Sequence, residues 1–600
     1  MLKMLKNVVK NLPSVSRILS CLSVLDLVRR TMKWQVCVVI FISLVVFGVF
    51  AEGEPKVCFN AGCVRGTTSL GYERPYEAFL GIPYARPPIE GQRFRNPEPN
   101  EGWTNVRDCT KPANICPQRD LLGGTGGFIG NEDCLYLNVY RPLLTNPQTQ
   151  RLPVIAFIHG GAFLFGSAHP DFYGPDYFMD NGTVILVTIQ YRLGALGFLC
   201  SGDSASQGNF GLKDQVLALK WIQDNIMKFG GNPRLVTVMG QSAGAVSAQV
   251  LMTNSQTRYF FRRAIFLSGS MISDWSVTDN PVKLFRDIAS AVELSNPTTR
   301  STQDLTEEMR TLDVKEILAA SSKIQTKDRR VMYKMCLEGR WPGALIQEDP
   351  REMWKKGLYR HRSWLMGVVG NEGTIGINIV NNETILEKFN EDLDKNIADF
   401  LEISEDQVPS VRSFYLGGSD TINESNKMNF LKMINDRLFY YPFYESVRQY
   451  IQYGSNKGTP VFLTKFNYRG SQSYTSKIYQ LPSNHEFGVG HSDDLDFLFP
   501  SAALFPERIP KDSLDAKVAK KYVNTLIEFA VTGRPLNGAN VRKCNRANFD
   551  PFCDYQEFRK KSLEVKLPTE IIEQHADLEV IVTNSFDIEM VSFWKALLSD

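Results

Sequence analysis

No charge of one sign dominates this chain. Lys and Arg number 67 and Asp and Glu 65 in 600 residues, a formal net charge of +2. No strong field is therefore available to attract nucleic acid or an anionic surface. Histidine is scarce, at six residues, so imidazole chemistry has few possible locations. There is no internal repeat, no long low-complexity tract and no Pro- or Ser-rich linker, which leaves nothing to mark a boundary between domains. The apolar run Val36–Phe50 falls short of the ~20 residues that a membrane span requires.

That run reads instead as part of a leader. Lys33 supplies a basic start, residues 36–50 the apolar core, and Val49-Phe50-Ala51 the small-residue region ahead of Glu52, the order of a secretory signal. Cleavage is expected after Ala51, with retention as a signal-anchor the alternative. Residues 1–31 are basic and partly amphipathic (Lys3, Lys6, Lys10, Arg17, Arg29, Arg30). They could be a cytoplasmic tail or a transit-like peptide, and initiation at Met32 is the simplest account. Residues 52–600 are then expected to form a single secreted domain without a stable membrane anchor.

Eleven cysteines are present, two of them (Cys21 and Cys37) in the leader. Export makes disulfides plausible among the other nine. Cys116 with Cys134 and Cys544 with Cys553 are reasonable pairs, and Cys58 with Cys63 is a third, for which Cys109 competes. An odd count leaves at least one free thiol, for which Cys200, among apolar neighbours, is the choice. Connectivity does not follow from sequence. Three acceptor sequons, at Asn181, Asn382 and Asn423, agree with export.

Leu152–Ile158 and the β-branched run Thr183–Tyr191 predict buried strands. Leu219, Ile222, Ile226 and Phe229 recur at helical spacing in Asp214–Phe229, before Gly230-Gly231-Asn232-Pro233. A strand is expected at Leu235–Met239, a helix at Ala243–Met252, and further strands at Ala264–Leu267, Trp364–Val369 and Val461–Phe466. Apolar strands alternating with helices imply a mainly parallel sheet with helices on both faces. The charged, helical stretches Lys283–Leu358 and Glu383–Tyr450 read as insertions covering the site.

Gly240-Gln241-Ser242-Ala243-Gly244 is a G-x-S-x-G pattern between a strand and a helix. That context is the nucleophile elbow of the α/β-hydrolase fold. A serine hydroxyl needs a base, and in this fold the partners follow in the order serine, acid, histidine. Of the histidines downstream, His575 lies in a charged tail. His491 lies in the glycine-rich loop Gly488-Val489-Gly490-His491, suited to delivering an imidazole to the strand ends, with His485 its rival. Glu372 follows the strand Trp364–Val369 beside glycines and fits the acid that must orient the imidazole. His159-Gly160-Gly161-Ala162-Phe163 offers a turn whose amides can converge on an oxyanion. Gly161, Ala162 and Ala243 are the expected donors, and His159 a packing residue. No metal or organic cofactor is expected.

With these residues placed, the chain resembles the type-B carboxylesterase/cholinesterase family. The resemblance rests on Phe79–Ala85 (FLGIPYA), Glu132–Asn138 (EDCLYLN), HGGAF, Gly208–Gln215 (GNFGLKDQ), GQSAG, GNEG and GHSDD. It implies a Ser242–Glu372–His491 triad, an oxyanion hole at Gly161, Ala162 and Ala243, a bridge between Cys116 and Cys134, and a small-molecule ester as substrate. Gln241, where many members carry Glu, is similar to the insect juvenile hormone esterases, as are Arg93-Phe94 and Gly488-x-x-His491-x-x-Asp494. General insect esterases share those motifs. The Cys116–Cys134 loop holds no tryptophan of the kind with which cholinesterases bind choline. A catalytically inactive adhesion or signalling relative is the alternative from another class.

Overall fold

In a computed structural model the described residues are 54–120, 126–144, 149–278, 280–327, 333–356, 362–453, 461–482, 484–535 and 587–598, with backbone alone at 555–560 and 578–583. The chain divides into two units, Met1–Pro55 and Lys56–Asp600. The expected leader, with its apolar core at 36–50, lies outside the described residues.

Alternation of side chains across a pleated strand makes both faces of the central runs apolar. Val154, Ala156 and Ile158 enter one core and Ile155 and Phe157 the other; Trp364 and Met366 oppose Leu365 and Val369 in the same way. Such strands have no polar face to offer water, so helices must cover both sides. Among the described residues eleven strands form the central sheet: β1 (Thr67–Leu70), β2 (Pro75–Pro83), β3 (Tyr136–Pro142), β4 (Leu152–Ile158), β5 (Ile185–Ile189), β6 (Gly231–Gln241), β7 (Arg263–Leu267), β8 (Trp364–Val369), β9 (Val461–Asn467), β10 (Tyr555–Lys560) and β11 (Leu578–Thr583). Their spatial order is β11-β10-β9-β8-β7-β6-β4-β5-β3-β2-β1. Strands β5, β4 and β6 to β10 run parallel; β11 at one edge and β3, β2 and β1 at the other pair antiparallel. This is the α/β-hydrolase fold.

Several expected boundaries shift, and the run Thr183–Tyr191 is strand only at Ile185–Ile189. The helix read as Asp214–Phe229 begins earlier, at Phe210, ends at Asn225, and continues as a 3₁₀ turn, Ile226–Phe229. Gly231-Asn232-Pro233, read as a helix terminator, already belongs to β6, whose pairing with β4 is irregular between Gly231 and Val236. Both insertions are helical. The first contains Pro281–Ala291, Thr302–Thr311, Val314–Lys327 and Pro350–Lys355; the second runs from Glu383–Asn390 to Tyr441–Tyr453. Among the described residues, contacts of the second insertion with the residues read as catalytic are described below. The first is fastened elsewhere: Arg93 donates to the carbonyls of Met309, Arg310 and Leu312 while ion-paired with Glu132.

Cys116–Cys134 and Cys58–Cys63 are disulfides. Cys109, Cys200 and Cys336 are free and buried, so Cys109 does not compete for Cys58 or Cys63. Cys544 and Cys553 lie outside the described residues. Among the described residues no helix is long and apolar enough to cross a membrane.

Candidate active site

Ser242 stands between the end of β6 and the helix Ala243–Thr253, with φ 54° and ψ −123°. A non-glycine residue there is strained, and the neighbouring backbone holds it in place. A Cβ on Gly240 would lie 2.1 Å from the Gly244 carbonyl oxygen, and one on Gly244 2.1 Å from that of Ile158. Only glycine lets the helix approach β4 and β6 this closely. The Ser242 amide donates to the Leu267 carbonyl at 2.7 Å, tying the elbow to the end of β7. Gly244→Ala is expected to cost at least ~3 kcal/mol through this clash, read as a lowered unfolding midpoint in denaturant.

The turn after β4 comes up beside this serine, since a Cβ on Gly160 would sit 3.0 Å from Ser242 Cβ. Gly161 has φ 108° and Ala162 φ 53°, left-handed conformations that reverse the chain. Leu164 and Phe165 donate back to the Gly161 carbonyl at 2.8 and 3.1 Å. Among the described residues, the amides of Gly161, Ala162 and Ala243 donate to no main-chain carbonyl of a turn or loop. His159 is a packing residue: burial pushes it down to about 4, its Nδ1 lies 2.8 Å from the Gly160 carbonyl, and its ring stacks on Tyr191 at 4.4 Å.

Glu372 is fully buried where β8 ends. Its Oε1 accepts from the Val369 amide at 3.0 Å, and its Oε2 lies 2.6 Å from His491 Nδ1. Its own amide donates to Asn435 Oδ1 at 2.8 Å. The His491 loop is laid against the Glu372 loop by several bonds. The Asn371 amide donates to the Val489 carbonyl at 2.7 Å, and the His491 amide to Thr374 Oγ1 at 2.8 Å. Asp493 Oδ2 accepts from the Gly490 amide at 2.7 Å, closing the turn. His485 is turned to Arg469 and to the Phe487 amide. Burial and then the Arg469 charge push it down to about 4. His575 and His361 lie outside the described residues.

On the other edge of the imidazole, Gln241 Nε2 is 3.4 Å from His491 Nε2 and donates to Ser492 Oγ at 2.9 Å. The residue preceding Ser242 therefore touches the ring that Glu372 holds. The second insertion closes the site from above. Asn435 ends the helix Lys427–Asn435, and the π-helical turn Asp436–Tyr440 follows. Phe439 of that turn packs 5.0 Å from the His491 ring, and Tyr440 donates to the Val369 carbonyl at 2.8 Å. Neither Asn435 nor Phe439 carries a sequence signal. Their relevance comes from an irregular turn, often found at functional sites.

Beside Glu372 and His491 lies a layer of buried acids, Asp494 and Asp496, that the sequence GHSDDLD presents as a charged loop. Asp494 accepts from the Tyr522 hydroxyl at 3.1 Å. Burial, then the charge of Glu372, raises it to about 7. Asp496 is raised as well, first by burial. A carboxyl raised in the folded state is protonated there while its unfolded counterpart ionises, so it removes stability as pH climbs from about 4 to about 7. Asp494→Asn is thus expected to gain on the parent between pH 5 and pH 8, by on the order of 2–4 kcal/mol. Thermal melts at the two pH values check this; a gap that does not change with pH overturns it.

The sequons differ in setting. Asn382 and Asn423 are exposed. Asn382 caps a helix through its Oδ1; Asn423 Oδ1 accepts from the Ser425 amide and hydroxyl, and its Nδ2 donates to the exposed Thr421 Oγ1 at 3.5 Å. Asn181 is half-buried, its Nδ2 donating to Asn524 at 2.7 Å.

The profile of the Carboxylesterase family matches residues 53–580. Juvenile hormone esterase of Tribolium castaneum is 34% identical over 523 residues, covering 84% of this chain and 87% of that protein. The carboxylic ester hydrolase of Bombus ignitus is 32% identical, covering 84% and 90%. Among solved structures, juvenile hormone esterase from Manduca sexta with OTFP covalently attached superposes with a TM-score of 0.75, over 91% of this chain and 99% of that one, at 24% identity. That likeness bears on the fold. The match of sequence over most of the length bears on descent, and by it this chain belongs to the carboxylesterase family, among whose members these relatives are named as carboxylic ester hydrolases.

Proposed function

We propose that the protein is a secreted serine esterase working through an acyl-enzyme, with Ser242 as nucleophile, His491 as base and Glu372 as orienting acid. The observation that supports it most is the buried contact of 2.6 Å between Glu372 and His491 Nδ1, made on the ring that Gln241 touches beside Ser242. Accepting from Nδ1–H leaves the lone pair on Nε2, the tautomer a general base requires. Ser242 attacks the ester carbonyl as His491 takes its proton. The amides of Gly161, Ala162 and Ala243 receive the oxyanion. The alcohol leaves with the proton from His491, and water then repeats the sequence on the acyl-enzyme. Labelling with a fluorophosphonate, followed by peptide mapping, tests the assignment. Stoichiometric modification of Ser242 supports it; an unlabelled protein with intact fold would favour the inactive adhesion or signalling reading.

Within esterases, juvenile hormone is the substrate favoured by the names of the relatives from Tribolium castaneum and Heliothis virescens and by Gln241. Hydrolysis of juvenile hormone, set against p-nitrophenyl esters of rising chain length, decides it. Gln241 also has a physical consequence. A neutral amide at 3.4 Å from Nε2 does not stabilise an imidazolium as a carboxylate would. Gln241→Glu is expected to move the acidic limb of the kcat/KM profile up by about one pH unit, and an unmoved limb overturns it.

Export supports disulfides and glycans in this reading. The signal at 32–51 is cleaved after Ala51, the mature chain 52–600 is one domain, and Asn382 and Asn423 accept glycans more readily than half-buried Asn181.

A further inference from the structure

Two free cysteines from distant parts of the chain meet in the interior. Cys200 follows the short helix Gly194–Phe198, and Cys336 ends the two-residue strand Met335–Cys336 of the first insertion. Their thiols lie close enough for each to perturb the other's ionisation. Both sulfurs also approach the Gln207 carbonyl, at 3.6 and 3.8 Å. A Cβ on Gly208 would lie 3.1 Å from Cys200 Sγ and 2.5 Å from Cys336 Sγ. That glycine, at φ 77°, leaves room for two sulfurs side by side.

The surroundings hold them there. Asn209, itself left-handed at φ 53°, accepts from the Cys336 amide at 2.9 Å and donates to the Cys336 carbonyl at 2.8 Å. Glu338 is buried and paired with Lys213 at 2.6 Å. It also accepts from the amides of Leu345 and Ile346. The segment 336–346 is thus clamped to the body at the place where the sulfurs touch.

We propose that Cys200 and Cys336 are the site of a further disulfide, which fastens the first insertion to the helix-flanking loop 199–209. The oxidant is a small-molecule disulfide such as oxidised glutathione. The Cys200 thiolate attacks it, forming a mixed disulfide and releasing one glutathione thiolate. The Cys336 thiolate then displaces the second. Two protein thiols lose two electrons and two protons, and one oxidised glutathione becomes two reduced ones. The neighbouring Cys336 thiol holds the Cys200 thiol below its ordinary range, and the Lys213 charge adds to this, so Cys200 is the attacking member. Both thiols are buried in the folded protein (2% and 0% exposed), so the exchange takes place in a partly docked state, with Cys200 already beside Cys336 and Lys213 and the segment 336–346 not yet closed over them.

The inference is independent of the esterase reading, because neither cysteine belongs to the proposed catalytic set. The full-length protein is refolded with oxidised and reduced glutathione, denatured without reductant, alkylated and mapped by mass spectrometry. The expected result is a Cys200–Cys336 cross-linked peptide with Cys109 alkylated. Alkylation of both Cys200 and Cys336, or either one joined to another cysteine, overturns the proposal. A second measurement compares how much refolding with oxidised glutathione, against refolding without it, lengthens the thermal-inactivation half-life of the parent, of Cys200→Ala and of Cys336→Ala, the bridges Cys58–Cys63 and Cys116–Cys134 contributing alike to all three. The parent is expected to gain about 5-fold more than either variant, because the added cross-link opposes unfolding, at unchanged kcat/KM. An equal gain in parent and variants also overturns the proposal.

Discussion

Ser242→Ala is expected to lower kcat for a short p-nitrophenyl ester by about 10⁴-fold or more, with KM changed little. The loss is this large because the attacking atom itself is removed. The elbow fixes one side chain in a strained conformation at the strand end, and Gln241 and Ala243 on either side offer no nucleophile. The fold itself should be untouched, since the strain resides in the backbone and the crowding in Gly240 and Gly244. Alanine in the same conformation loses only an oxygen. Residual hydrolysis above the uncatalysed rate would come from the oxyanion donors. Turnover within tenfold of the parent, by a protein with an unchanged melt, removes Ser242 from the mechanism.

Glu372→Gln should cost kcat about 10³–10⁴-fold while leaving fluorophosphonate labelling slow but measurable. The carboxylate has two tasks: Oε1 accepts from the Val369 amide and Oε2 faces His491 Nδ1. A glutamine has one acceptor for these two donors. If it serves Val369, its NH₂ turns toward Nδ1 and selects the tautomer with the proton on Nε2, which cannot act as base. The buried negative charge that stabilises an imidazolium during turnover is lost as well. Glu372→Asp should fall between the two, keeping charge but shortening the reach. Full activity in the glutamine variant would mean that His491 is oriented by something else.

The parts of this fold that could be read in advance are those whose cause is local. Leu152–Ile158 and Trp364–Val369 were legible to the residue because each is an apolar run bounded by glycine or histidine turns and buried on both faces. The elbow was legible because Gly240 and Gly244 answer to crowding that any strand–turn–helix of this kind creates. β10, β11 and the antiparallel edge strands β1 to β3 were not, since polar and aromatic residues interrupt them and their partners are set by the sheet. Nor were Asn435 and Phe439, which reach the triad through a π-helical turn. Asp494 and Asp496 look solvent-facing in the sequence and prove buried, since Tyr522 and the loop around His491 enclose them. The approach of Cys200 to Cys336 needs the whole insertion to be docked before it exists.

Ser242, Glu372 and His491 occupy successive positions along the chain, while β6, β8 and β9, whose ends carry or border them, are near neighbours in the sheet. Synthesis proceeds from the N-terminus, and domains gather their cores as they emerge. On the proposed roles, a chain that ends before His491 lacks the base that Ser242 requires, and it is expected not to hydrolyse esters even where β6 and the turn after it are intact. Competence then waits for the loop beyond β9.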